Sequence, residues 1–584
     1  MNAAGLVSWM TRKSVHRLGL CLSIGWAAWV WTPAQAQAGN DTRPLNASTV
    51  GTADWVILDA EVLGTVEPGM SAVAVVGDRI AAVGRTPDIQ PWVGTRTRVI
   101  QAQGRSLIPG LIDSHIHAIR AGLTEHTEVN WSGVRSLAQA LHRLTEQAQH
   151  SGADDWIVVA GGWTPEQFEE GRSPTQEELE QAVGTRPAYV QRGYAGVLLS
   201  AAGRRRVTTT TPAPITARLM PERDAQGRET GWLLADARTI SQLYDELPKP
   251  TVDQQHRGTL AWLKRLNAWG ITGVLDPGGY NLPPSAYRPI QQVWREGHLT
   301  VRVVFSVSAP TRGQELQDFQ TLTALTPMGW GDAWLRFNGI GENVTWGMYN
   351  NEAPQAHDRT ELQRVLQWAA QQGLGATFHW NNDDTVHHLL DVIEQVNRDH
   401  PVAHLRWSIA HLNNASPASL QRMQQLGLGW LVQNASHFQR EWLSQRLGAS
   451  ALTRTPPLGD AIRLGLRVGV GTDAHRVMDP NPFVCLQWLV DGLSVNQQPT
   501  RAPEHLVDRE TALRWYTEGS AWFSHDEHRR GRIQVGMLAD LALLSDSYLN
   551  IPVQRIHTLS SHLTWLGGRV VHAAGPFAEL NGSR

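Results

Sequence analysis

Hydrophobic positions in this chain change rhythm twice. Between residues 52 and 108, short apolar runs such as Trp55-Val56-Ile57-Leu58, Ala72-Val73-Ala74-Val75-Val76 and Ile80-Ala81-Ala82-Val83 are separated by turn signals such as Gly77-Asp78. This is the punctuation of β-strands joined by tight turns. Residues 531–575 return to the same style, with Ala539-Asp540-Leu541-Ala542-Leu543-Leu544 and Arg569-Val570-Val571-His572. Two β-rich ends around a different middle predict one small β-sandwich built from both.

The middle alternates strand-like and helix-like patterns. Strands are predicted at 106–117, 270–276, 300–307, 334–342, 376–380, 406–411, 429–433 and 467–473. Most precede a helical period. Ser416-Pro417 ahead of Leu420, Met423 and Leu426 supplies an N-cap and a first-turn proline. Eight such units predict an α/β fold, a (β/α)8 TIM barrel over 109–525. The stretch at about 121–268 is too long for a loop and carries its own strand pattern, Trp156-Ile157-Val158-Val159. It reads as an inserted subdomain that walls the site.

The first 38 residues have another character. Arg12, Lys13 and Arg17 precede an apolar stretch at 18–31, shorter than a bilayer span, and Ala34-Gln35-Ala36 and Ala36-Gln37-Ala38 are small-x-small cleavage sites. The expectation is a signal peptide over 1–38 and export, to a periplasm, with no stable membrane insertion after cleavage; the alternative is an uncleaved anchor. Cys21 follows Leu20, where a lipoprotein box needs a small residue. Cleavage leaves Cys485 alone in Phe483-Val484-Cys485-Leu486, so an internal disulfide is excluded and a buried structural thiol is expected. The charge balance, 51 basic against 54 acidic residues, gives no reason for a nucleic-acid or anionic-membrane partner. The partner expected is a small-molecule substrate. The 25 tryptophans suit core packing or aromatic walls around an apolar substrate.

In barrels of this kind reactive side chains come from the C-terminal ends of strands. The first predicted strand ends Asp113-Ser114-His115-Ile116-His117, and residues i and i+2 share one strand face, so both imidazoles can grip one ion. With 23 histidines in 584 residues, chance supplies about one such pair; its place after Pro109-Gly110 and an apolar strand gives it weight. The fifth strand ends at His379, the sixth at His411 and the eighth at Asp473. Each alone has a structural alternative, a satisfied core histidine or a turn cap. Together they put four imidazoles and one carboxylate on one rim, a donor set that suits zinc or another borderline divalent ion. Asp473 is then the candidate proton carrier, and His411 a metal ligand or an orienter of the substrate carbonyl. His437 and His475, after the seventh and eighth strands, are candidates for substrate contact, while His387 and His388 read as solvated.

Pro109-Gly110-Leu111-Ile112-Asp113-Ser114-His115-Ile116-His117 resembles the first-strand motif of the amidohydrolase superfamily, and Gly536-Met537-Leu538-Ala539-Asp540-Leu541 resembles its C-terminal signature. His379 with Asp383, Ala410-His411, Gly471-Thr472-Asp473-Ala474, Gly161-Gly162-Trp163 and the long insertion are similar to the YtcJ-like branch that includes N-substituted formamide deformylases. The resemblance implies hydrolysis of a non-peptide C–N bond in an amide, formamide or cyclic amide. Much of that branch carries a metal-bridging carboxylated lysine at the end of the fourth strand. This chain departs from it with Asn338-Gly339-Ile340-Gly341-Glu342. Only Lys13, Lys249 and Lys264 exist, and none falls on that strand. Glu342 is the candidate replacement bridge between two metals; otherwise the site holds one metal and Glu342 contacts substrate. A deaminase of the same superfamily, recognisable by ammonia release, and a non-catalytic exported binding protein, recognisable by a broken ligand set, are the competing readings.

Overall fold

The computed structural model describes residues 51–279, 282–348 and 352–581; the predicted signal segment lies outside them. Eight short strands form two four-stranded parallel sheets. The first sheet orders β1 (Leu111–Asp113), β2 (Ile271–Asp276), β3 (Arg302–Val307) and β4 (Leu335–Ile340). The second orders β5 (Thr377–Trp380), β6 (Ser408–His411), β7 (Gly429–Val432) and β8 (Arg467–Val470). Ile340 N donates to Gly375 O at 3.0 Å where β4 approaches β5, and Ser114 N donates to Val470 O at 3.1 Å where β1 approaches β8. Together with the interposed helices this is a TIM-barrel-type α/β fold. Strands such as β2 and β7 are buried at every position, as strands covered on both faces must be.

The space between the strands is filled rather than hollow. Ile112, Leu275, Val304, Ala410 and Leu431 pack with Ala521 and Phe523, which return from the C-terminal side. A side chain at Gly429 would place its Cβ 2.2 Å from the Phe523 ring, so glycine there makes room for the plug. Beyond Phe523 the buried Arg530 reaches Asp526 at 2.9 Å, and Arg336 of β4 reaches the same carboxylate at 2.7 Å.

The predicted first strand, 106–117, is in fact divided. Ser106–Pro109 belongs to a different sheet, ordered Glu61–Val62, Ser106–Pro109, Leu541–Leu544, Ser561–Leu566, Arg569–Ala573. The chain crosses to β1 at Gly110, where any Cβ would fall 2.2 Å from the Thr272 hydroxyl. One unbroken apolar run hides this crossing, because both halves are buried. A second sheet, Arg79–Gly84, Ala72–Val76, Trp55–Leu58 and Arg98–Gln101, shares a core with it. Trp55, Ile57, Val73 and Val75 from one meet Leu541, Leu543, Leu563 and Trp565 from the other.

Between α1 (Ala118–Thr124) and α2 (Val252–Asn267) lies a five-stranded sheet, ordered Met220–Arg223, Glu229–Leu234, Gly196–Leu199, Ala188–Arg192, Ile157–Val159. The predicted insertion at 121–268 is therefore too wide at its C-terminal end. Trp262, Leu263 and Leu266 of α2 share the core of the eight strands, so α2 belongs to their helical layer. Ser416 caps Pro417–Gln425 by accepting from Ser419 N at 3.1 Å, as expected. Cys485 is buried. Many tryptophans are core: Trp131, Trp262, Trp380, Trp407, Trp430, Trp488 and Trp565 are fully buried.

Candidate metal centre

The residues after β1 sit beyond the strand itself, yet its ladder continues through them. Ile116 N donates to Leu275 O at 3.2 Å, Asp473 N to His115 O at 2.8 Å and His117 N to Ala474 O at 3.0 Å. His115 and His117 are thereby aimed the same way, as i and i+2 spacing requires, with ring centroids 5.7 Å apart. His117 Nδ1 donates to Gly278 O at 2.8 Å, which leaves Nε2 as the free lone pair. Gly279 approaches so closely that a Cβ there would lie 3.2 Å from His117 Nδ1.

Asp113 anchors this segment from below and was not singled out from the sequence. Its buried carboxylate accepts from His115 N at 3.2 Å, Thr472 N at 3.1 Å, the Thr472 hydroxyl at 2.7 Å and the Tyr516 hydroxyl at 3.0 Å. Burial pushes its pKa up to about 6, against the pull of those donors.

The other sequence-predicted ligands arrive from β4, β5, β6 and β8. Glu342 Oε2 is 3.3 Å from His115 Nε2, 3.3 Å from His379 Nδ1 and 3.5 Å from His411 Nε2, while Oε1 is 3.3 Å from His117 Nε2. Asp473 Oδ1 lies 3.2 Å from His117 Nε2 and 3.6 Å from His115 Nε2. His411 Nε2 and His379 Nδ1 are 2.9 Å apart. Burial opposes ionisation of both carboxylates. The neighbouring imidazoles, His379 and His115 foremost for Glu342 and His115 for Asp473, outweigh it and hold both well below the usual carboxylate range. His411 has φ +70° and Asp473 φ +53°, conformations that cost most residues about 1–3 kcal/mol and are held only by their surroundings. For His411 those surroundings are Gln433, whose Oε1 accepts its N–H at 2.9 Å, and Trp430, whose indole donates to its carbonyl at 3.0 Å.

This cluster fits a metal. Both ring nitrogens of fully buried His115 lack a hydrogen-bond partner, an expensive arrangement unless a ligand completes it. Three overlapping trios, His115/His117/Glu342, His115/His411/Asp473 and Glu342/His379/His411, each bring their donor atoms within 4.8 Å of one another. Glu342 belongs to two of them.

The cluster opens into a cavity of about 2260 Å³, also lined by Arg120, Trp163, Tyr244, Phe438, Trp442 and Arg476. Three amides stand beside the ligands: Asn343, Asn381 and Asn413. Asn343 is buried with no partner for its carboxamide, and Asn413 Nδ2 reaches Asn381 Oδ1 at 3.3 Å. A sequence signal existed for two of them, since His379-Trp380-Asn381 and His411-Leu412-Asn413 repeat one spacing.

Two predicted contacts are corrected. His437 Nδ1 donates to Leu493 O at 2.7 Å, and His475 packs 3.4 Å from Glu128 and against Trp262. Neither lines the cavity, and burial pushes each pKa down to about 4. The turns after β7 and β8 aim both rings into the wall, which residue spacing alone does not reveal. His387 is exposed and His388 half-buried.

A profile of the amidohydrolase family matches residues 98–572. The chain belongs to the amidohydrolase family. It is 24% identical over 502 residues to YtcJ of Bacillus subtilis strain 168, covering 82% of this chain and 90% of that one. It is 22% identical over 545 residues to N-substituted formamide deformylase of Arthrobacter pascens, covering 88% and 97%. Among solved structures, an uncharacterized metal-dependent hydrolase from Pyrococcus furiosus superposes with TM-score 0.61 at 18% identity, covering 85% of this chain and 100% of that one. As an amidohydrolase, the protein is a metal-dependent hydrolase.

Proposed function

We propose that this amidohydrolase cleaves a non-peptide C–N bond in an amide, formamide or cyclic amide, using a divalent ion held by His115, His117, His379, His411 and Asp473, with Glu342 as the bridge if two ions are held. The observation that carries the reading is the convergence of six donor side chains from five strand ends, five of them lining one cavity and His115 buried behind them. Imidazoles with carboxylates favour zinc. When bound, such an ion makes water acidic near neutral pH and polarises a carbonyl. Asp473 accepts the proton of the attacking water and passes it to the leaving nitrogen. His115 and His117 lie 3.6 and 3.2 Å from the Asp473 carboxylate and would share the ion with it. The unpartnered Asn343 carboxamide offers a donor and an acceptor to an amide group in the cavity. Glu342 lies between the His115/His117 pair and the His379/His411 pair, which favours bridging over substrate contact.

The same reading takes the eight strands as a closed barrel, residues 52–108 with 531–575 as one β-sandwich, and the segment between α1 and α2 as an inserted subdomain. The seam hydrogen bonds and the shared core support this. It also takes residues 1–38 as a signal for export to a periplasm, supported by the charge and apolar pattern there. N-terminal sequencing of the protein from its host should begin near Gln37 or Gly39; an intact Met1 on a cytoplasmic protein would reject export.

The activity is tested by incubating zinc-loaded protein with a panel of formamides, simple amides, hydantoins and lactams. Release of a carboxylate together with an amine supports the reading. Ammonia from an amidine-containing substrate, with the amides untouched, replaces it with deamination.

A further inference from the structure

Arg476 is buried to nine-tenths, and among the described residues no carboxylate lies within ion-pair distance of its guanidinium, although the charge of Glu128 acts on it through space. It is 9% exposed, lines the cavity, and lies with its guanidinium carbon 3.9 Å over the centroid of the Tyr244 ring. Among the described residues nothing hydrogen-bonds or ion-pairs with that guanidinium, and its Nε is buried without a partner. Glu128, the acidic side chain on the same wall, attracts the guanidinium through space but gives its oxygens to other partners. It accepts from the Tyr244 hydroxyl at 2.5 Å and faces His475 at 3.4 Å. A cation withdrawn from water without a paired anion is costly, and the ring beneath it offsets only part of that cost.

The position is also held rigidly. Gly162 N donates to Arg476 O at 2.7 Å. Gly161 has φ +123°, and a Cβ there would fall 2.2 Å from the same carbonyl. The inserted segment thus closes on the backbone of Arg476 and fixes it three residues beyond Asp473. A second guanidinium, that of Arg120 on α1, lines the same cavity. Its Nη2 lies near Gly279 together with the His117 ring, and it too has no hydrogen bond or ion pair among the described residues.

We propose that Arg476 anchors a carboxylate carried by the substrate, so that the enzyme acts on anionic amides of the N-acyl amino acid class. The planar fork of a guanidinium matches a carboxylate through two parallel hydrogen bonds. Trp163, Phe438 and Trp442 on the cavity wall accommodate an aromatic side chain on such a molecule. The proposal rests on the C–N hydrolase reading for its chemistry, but its test is a binding measurement.

The probes are N-formylphenylalanine and N-formylphenylalaninamide, which differ only in the carboxylate. Calorimetry on zinc-loaded Asp473→Asn protein should show the acid binding at least about ten-fold tighter than the amide. In Asp473→Asn/Arg476→Gln that preference should vanish, while the affinity for the neutral amide stays within about two-fold, which also reports that the variant is folded. Arg476→Lys, which keeps the charge but loses the fork, should be intermediate and stands in if the glutamine variant does not fold. Equal binding of the two probes in Asp473→Asn overturns the proposal, and so does failure to bind the acid. An acid preference that survives Arg476→Gln assigns the carboxylate to the metal centre and overturns it too. If wild-type protein hydrolyses neither probe while the Arg476-dependent preference is present, the C–N reading fails for these compounds and the anchor stands.

Discussion

Asp113 holds Thr472 through both its main-chain N–H and its hydroxyl, at 3.1 and 2.7 Å. That clasp joins the end of β1 to the end of β8, and with them His115 and His117 to Asp473. Asp113→Ala strands several buried donors at once, each costing about 1–3 kcal/mol. The expected result in urea unfolding is a loss of a few kcal/mol, accompanied by reduced metal content. Thr472→Val, which removes only the hydroxyl, should cost about 1 kcal/mol.

The metal set makes a stoichiometric prediction. Because Glu342 faces both histidine pairs, the wild-type protein should bind two zinc ions per chain, and Glu342→Ala about one. His115→Ala/His117→Ala should lose the ion they share. Atomic absorption after dialysis against zinc gives the count. One ion in wild type, unchanged in Glu342→Ala, would return Glu342 to a substrate-contact role. Two ions retained without Glu342 would reject both roles.

Asp473→Asn keeps the shape of the side chain and removes the base. Turnover of the best panel substrate should fall by about 10²–10⁴-fold. Near-normal rates would remove Asp473 from proton transfer.

Acid should weaken the floor of the strands. Burial opposes ionisation of Asp526, but Arg530 and Arg336 outweigh it and hold its pKa below the usual value. A depressed folded pKa means stability present above the unfolded value, about 3.9, and lost as pH falls through and below it. Asp526→Asn leaves Arg530 buried without its anion and should cost about 3–5 kcal/mol at pH 7. The gap between wild type and variant should narrow by pH 3.5, as followed by urea midpoints. A constant gap would show that the charge of Asp526 is not what is lost.

The clustering of His115, His117, His379, His411 and Asp473 was legible in the sequence because each stands close to the end of an apolar run, and strand ends on one rim share one destination. Glu342 was legible as a carboxylate where a lysine was expected, but its place between two histidine pairs needed three dimensions. His437 and His475 were misread because they follow strands through turns, and turns do not preserve the direction of a side chain. Asp113 and Arg476 were passed over for a related reason. What sets them apart is, for Asp113, a partner 359 residues away and, for Arg476, a buried Nε with no hydrogen-bond partner among the described residues. The division of 106–117 at Gly110 was invisible because buried strands of two sheets have the same composition.

That division bears on the order in which the molecule can be made. Ser106–Pro109 pairs with Leu541–Leu544, so a strand made early waits for one far along the chain. Until then its open edge is a template for pairing with other chains, and contacts so distant in sequence form slowly. Loss of the last fifty residues would leave that edge exposed for good. Such a truncated protein should aggregate even though every metal ligand is still present.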